Sequence, residues 1–79
     1  MTEHTHIERG ALKIIELVGV SPKGFDDAVV QAVARASDSV RDITGVEVSK
    51  FSARVEGGKP VEFHAAVRVA FVVHSKSAA

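Results

Sequence analysis

The sequence predicts an α+β domain in which a three-stranded curved sheet, in strand order 1-3-2 and of antiparallel/mixed pairing, wraps around one α-helix in a β-α-β-β chain order. Three observations carry that expectation. From Val61 to Val73 every second residue is apolar (Val61, Phe63, Ala65, Val67, Val69, Phe71, Val73), with Glu62, His64, Ala66, Arg68, Ala70 and Val72 between them. A period of two sends alternate side chains to opposite faces, so this is one strand, roughly 43 Å long. Phe25, Val29, Ala32, Ala36, Val40 and Ile43 recur at steps of three and four, the stripe of an amphipathic helix. Leu12 to Val20 alternates without a polar face.

Composition bounds what such a domain can do. A chain of 79 residues builds one domain close to the lower limit for a self-sufficient core, and such chains usually add a disulfide, a metal or oligomerisation. There is no cysteine, which removes disulfides, thiolate ligands and thiol redox chemistry. Ten basic residues balance ten acidic ones, so no global field attracts nucleic acid or an anionic membrane, and neither is an expected partner. The apolar runs are too short to span a bilayer. Residues 1–10 lack both a period and an apolar signal core and read as a flexible tail, residues 11–74 as a single domain and residues 75–79 as a second flexible tail. The expected compartment is the cytoplasm. Self-association remains as the source of added stability.

Each element has local reasons. The first strand, Leu12 to Val20, carries Leu12, Ile14, Glu16 and Val18 on one face and Lys13, Ile15, Leu17 and Gly19 on the other. Two apolar faces require two covers, and one helix supplies only one. Ser21-Pro22 is expected to open the helix, serine as N-cap and proline in the first turn, although Gly24 blurs the start. Asp26 and Asp27 suit the positive end of the helix dipole. Alanines in the middle of the stripe let a sheet approach closely, and Gly45 suits a left-handed position closing the helix after about five turns.

The second strand, Val46 to Val55, meets the third in a hairpin whose register can be derived. A two-residue Gly57-Gly58 turn, extended regularly, sets Phe51 against His64 and so mixes the apolar and polar faces. A three-residue loop, Gly57-Gly58-Lys59, pairs Val55 with Val61, Ala53 with Phe63 and Phe51 with Ala65, and places Arg54 beside Glu62 and Ser52 beside His64. Pro60 then falls at the strand's mouth, where a missing N–H is tolerated. The three-residue loop is expected. The helix returns the chain so that strands one and two run parallel, and strand three, the longest, lies between them. Lys50, Ser52, Arg54, Glu62, His64 and Arg68 share the face turned away from the helix.

The stretch KIIELVGVSPKGFDDAVVQAVARASDSVRDI, followed by VEV and by a last strand ending VRVAF, resembles the dodecin family over residues 12–73. The ELVG-x-S entry to the helix, the ARAS segment and the E-V after it are its most specific marks. The resemblance implies a hollow homo-oligomeric shell, a homo-dodecamer, and storage or sequestration of a small ligand, often flavins bound in stacked pairs. It also implies where ligand-pocket positions fall, and there the sequence departs from the pattern. The tryptophan-phenylalanine pair of flavin-binding members corresponds to Gly45 and Val46, an arginine to Ser52, the glutamine at the ring edge to His64, and a further arginine to Val72. With no tryptophan or tyrosine anywhere, a ring stacking worth about 1–3 kcal/mol is missing. Flavin is therefore disfavoured as cofactor and the ligand is open. Some members similar to this chain lack the tryptophan and bind cations instead.

Other constellations are thin. His4 and His6 are two ligands on a tail, short of a metal site. His64 and His74 share a strand face about 33 Å apart and cannot meet within one chain. Asp26-Asp27 with Asp38 and Asp42 can offer oxygen ligands to a hard cation only in an assembly, and acids on a helix are ordinarily solvated. No activating motif surrounds any serine, so no catalytic residue is expected. Gly57-Gly58 sits in a hairpin and opens no helix, which excludes a phosphate loop. Two classes stay in view: a small-ligand storage shell with an altered site, and a structural or interaction assembly with no small ligand or with a bound cation.

Overall fold

A computed structural model describes residues 10–73. Strand β1 (Ala11–Ser21), helix α1 (Phe25–Ser37), strand β2 (Ile43–Glu56) and strand β3 (Lys59–Val73) follow in order. They form one three-stranded sheet in the order β1-β3-β2, with β3 antiparallel to both neighbours. β1 and β2 thus run parallel on either side of the longest strand, as the helix crossover and the length of β3 predict.

The helix covers one face of the sheet, the inner face. Its Ala28, Ala32 and Ala36 are buried against Ala65, Val67 and Val69 of β3, with Ile15 and Leu17 of β1, Val29 of α1 and Ile43 and Val48 of β2 packed around them. Small residues on both elements bring backbone near backbone. The approach is closest at Gly19: a Cβ there would lie 1.9 Å from the Ala28 carbonyl oxygen and 2.9 Å from the Ala32 Cβ. Glycine in β1 is therefore a contact requirement of the helix.

The helix is shorter than its apolar stripe suggests. It starts at Phe25 with Gly24 as N-cap, not at Ser21-Pro22. Ser21 instead ends β1 fully buried; its hydroxyl accepts the Lys23 N–H (2.9 Å) and donates to Asp27 Oδ2 (2.7 Å). The serine does stabilise the entry to the helix, but as a turn closed by its side chain. At the other end, the N–H groups of Asp38, Ser39 and Val40 close on the Arg35 and Ala36 carbonyls at 3.0–3.2 Å, and the helix stops at Ser37. Ser37 hydrogen-bonds back to the Val33 carbonyl, the local competition by which serine weakens a helix interior. Val40 therefore lies outside the helix, and Ile43 reaches the same core from the first position of β2.

Gly45 does not close the helix. It lies inside β2 opposite Ala70, and the left-handed residue of the connection is Asp42, at φ 61°. Aspartate is among the few side chains that tolerate this region, and the Asp42 carbonyl accepts the Val72 N–H at 3.2 Å. β2 consequently begins at Ile43 instead of Val46.

The hairpin has the expected register in its body and a different turn. Arg54 faces Glu62, Ala53 faces Phe63, Ser52 faces His64 and Phe51 faces Ala65. At the tip, however, Val55 pairs with Pro60 and Glu56 with Lys59, leaving Gly57-Gly58 as a two-residue loop with φ 59° and 79°. Positive φ at both central residues matches the strand twist. A bulge at Val61 absorbs the extra residue, so the tight turn and the correct facing coexist. The expected Val55–Val61 pair is thereby replaced. Two further register shifts, at Thr44 and Ser49, increase the bend of β2 around the helix.

Candidate functional site

The face turned away from the helix is built in rows across β1, β3 and β2. In succession these are Leu12–Val72, Ile14–Ala70–Gly45, Glu16–Arg68–Glu47, Val18–Ala66–Lys50, Val20–His64–Ser52 and, at the hairpin, Glu62–Arg54. Strand alternation puts them there, since each inner residue leaves its neighbours outside. On β1 this outer face is apolar: Leu12, Ile14, Val18 and Val20 remain between 45% and 56% exposed. A monomeric chain rarely leaves a whole strand face of large aliphatic residues in water.

Of the positions singled out by resemblance, Gly45, Ser52, His64 and Val72 lie on this outer face. They do not meet within one chain. Gly45 and Val72 lie toward one end and Ser52 and His64 at the other, six to eight β3 residues or roughly 20–26 Å apart. Val46 pairs with Val69 and belongs to the inner side, with 44% of its surface exposed.

Charge gathers at the hairpin end. Glu62 Oε1 accepts from His64 Nε2 (3.0 Å) and from Arg54 Nε (3.3 Å), and Arg54 also binds Glu56 through Nη1. The hydrogen bond from His64, followed by that from Arg54, holds the Glu62 carboxyl below its ordinary value. In the centre, Arg68 Nε meets Glu16 Oε2 at 3.4 Å. Beside it lies a depression of about 260 Å³ lined by Glu16, Val18, Ser49 and Ala66 together with Leu17 and Val67. Ser49, the bulged residue of β2, donates to the Ala66 carbonyl at 3.1 Å. Sequence reasoning placed Arg68 on the polar face but missed its two carboxylate neighbours. Regular extension of the hairpin register sets Val48 against Arg68; the bulge at Ser49 brings Glu47 there instead, and the hairpin does not fix the register of β1.

The residues present do not fit a sandwiched flavin. Phe51, Phe63 and Phe71 lie on the helix side of the sheet, Phe25 is on α1, and the Phe25 ring meets Phe51 tilted and Phe63 edge-to-face, each with centroids 5.0 Å apart. No phenylalanine ring stands on the outer face among the described residues, and the imidazole of His64, hydrogen-bonded to Glu62 at 3.0 Å, is the one ring there. Around Gly45 there is open space where a side chain would begin. Nor do the described residues gather three or more histidine or acidic side chains able to hold a metal ion. Asp26 and Asp27 lie at the start of α1 and Asp38 at its end, so these acids are held apart. His4, His6 and His74 lie outside the described residues. No described helix is long and apolar enough to cross a membrane.

Together these features define a small strand-helix-strand-strand protein with a covered inner face, an apolar outer strand and no assembled reactive centre among the described residues. The family model for Dodecin matches residues 11–74. The chain is 32% identical over 59 residues to the calcium dodecin of Mycobacterium tuberculosis, covering 75% of this chain and 83% of that protein. Its fold matches the dodecin of Streptomyces coelicolor with TM-score 0.83 at 28% identity, over 89% of this chain and all of the other. The calcium dodecin structure, described as that of a calcium-chelating antigen with a novel calcium-binding site, matches with TM-score 0.72 at 27% identity, over 89% of this chain and all of the other. The chain belongs to the dodecin family.

Proposed function

We propose that this protein is a non-enzymatic, self-associating small-ligand store, a closed homo-oligomer of twelve chains in the cytoplasm, in which the flavin site has been lost. Residues 11–74 act as its single domain. The observation that carries the reading is the outer face of β1, four large aliphatic side chains half exposed on a strand whose other face is already packed. A second copy of the chain gives them cover and supplies the stability that a core of three alanines on the helix side limits. The ligand pocket then lies between copies, which accounts for Gly45 and Val72 standing far from Ser52 and His64 within one chain.

Loss of the flavin follows from Gly45, because the other ring on the outer face, the His64 imidazole, is small, tied to Glu62 and at the far end of the sheet. The test is a riboflavin fluorescence-quenching titration on the unmodified protein and on the Gly45→Trp/Val46→Phe variant. Gly45 has no left-handed φ and open space at its Cβ, so the larger side chain enters without backbone strain. The expected result is weak or absent binding by the parent and tighter binding by the variant, by about 1–3 kcal/mol. Submicromolar binding by the parent would overturn the reading of the pocket.

A second reading, a cation store, is favoured by one observation, the similarity to a relative named for calcium. Among the described residues no group of three histidine or acidic side chains gathers within one chain, so this reading draws on carboxylates brought together by assembly. Calorimetric titration with calcium separates the two: heat that saturates in the assembled protein supports the cation store, and none supports the assembly without it.

A further inference from the structure

Between the aliphatic residues Ile14 and Val18 of β1, and apart from the charge at the hairpin and Lys50 in the next row of β2, a row of three charged residues crosses the outer face. Glu16, Arg68 and Glu47 lie side by side on β1, β3 and β2, and the Ile14 and Val18 rows flank them. Arg68 Nε is engaged by Glu16 at 3.4 Å. Glu47 faces Arg68 in register on the other side, yet forms no ion pair among the described residues. The row thus holds two carboxylates and one guanidinium, half exposed, whose planar fork of donors can serve both carboxylates at once.

Covering the aliphatic residues on either side also takes this row out of water, and a desolvated carboxylate without a partner is costly. A second copy brings the missing partner, because it carries the same row. In a two-fold contact whatever one copy offers at a position is met by its mate, and the reverse. Aliphatic contact alone is non-directional and fixes no register, whereas paired charges do. We infer that Glu47 of one copy pairs with Arg68 of a second copy across the outer face, so that this row sets the register of self-association. The inference rests on the self-association proposed above.

Charge reversal and mixing test it. Glu47→Arg and Arg68→Glu are each purified and followed by sedimentation velocity, alone and mixed in equal amounts. Each alone sets like charges against one another and should raise the concentration of half-dissociation at least tenfold. Mixing restores both cross pairs, so the two variants should assemble together, with equal numbers of each chain by native mass spectrometry. Single variants that assemble like the parent would overturn the inference. So would a mixture that stays dissociated while the doubly reversed chain assembles, because the pair would then lie within one chain. Should circular dichroism show either reversal unfolded, Glu47→Gln and Arg68→Gln take its place. Both are expected to weaken assembly severalfold, and unchanged assembly overturns the inference. A monomeric parent would instead overturn the self-association reading beneath it.

Discussion

The two faces of this sheet solve the same problem by different means. On the inner face the partner is in the chain: α1 brings three alanines against Ala65, Val67 and Val69, and Gly19 lets the helix backbone come within a Cβ's reach. On the outer face the aliphatic residues of β1 have no cover among the described residues, and charge is arranged in rows across three strands. The inner face is fixed by steric fit, with nearly every buried residue small. The outer face keeps large side chains and ion pairs, as a surface does that another molecule must recognise. Packing density therefore limits substitution on one side, and association limits it on the other.

Substitution should expose this asymmetry most strongly at Gly19. Gly19→Ala forces the helix away from β1, since the added carbon would overlap the Ala28 carbonyl at 1.9 Å. We expect a loss of about 3 kcal/mol, read as a lowered midpoint in urea. A midpoint within experimental error of the parent would show that the helix moves freely and that the inner face is not sterically fixed.

Equal deletions on the two faces sharpen the contrast. Val67→Ala, at 1% exposure, should cost about 2 kcal/mol of folding stability through lost transfer and cavity terms. Val18→Ala, at 56% exposure, should cost the dissociated chain less than about 0.5 kcal/mol while weakening association. Denaturation of dilute, dissociated protein compares them. Similar losses at both positions would remove the distinction between the faces.

The connection between helix and β2 is a smaller, local test. Asp42 holds φ 61°, and a β-branched side chain is poorly accommodated there. Asp42→Val should cost about 1 kcal/mol in thermal denaturation, and an unchanged midpoint would show that the left-handed backbone sets no limit on this position.

The smallest effect belongs to Glu62 on the outer face. Its folded carboxyl titrates below the unfolded one because of His64 and then Arg54. Its contribution is therefore fully present above the unfolded carboxylate value and is lost as pH falls through the depressed folded one. Glu62→Gln should lower the melting temperature slightly near neutral pH and leave it unchanged in acid, so that its decline on acidification is flatter than the parent's. The group is exposed, so the change in slope is slight.

How much of this was legible depended on whether a residue's period or its surroundings decided its place. The alternation from Val61 to Val73 gave the central strand, and the pairing of Arg54 with Glu62 followed from keeping apolar and polar faces apart. The same alternation put two apolar faces on β1. Helix ends were not legible, because Val40 and Ile43 continue the stripe by spacing although Asp38 to Asp42 leave the helix. The turn was misread because a bulge at Val61 and a two-residue loop together reproduce the facing of a three-residue loop, and only backbone geometry tells them apart. The family could be read from sequence, and Gly45, Val46, Ser52, His64 and Val72 were singled out only by resemblance to it. Their separation within one chain could not be read, since it depends on strand register and on which copies lie side by side.

The central claim is that the outer face of β1 is covered by further copies of the same chain. Sedimentation velocity on the unmodified protein at micromolar concentration tests it most directly. The expected result is one sharp boundary at the mass of twelve chains, with no single-chain species. A stable monomer or dimer at that concentration, with its four outer aliphatic residues still in water, would contradict the account.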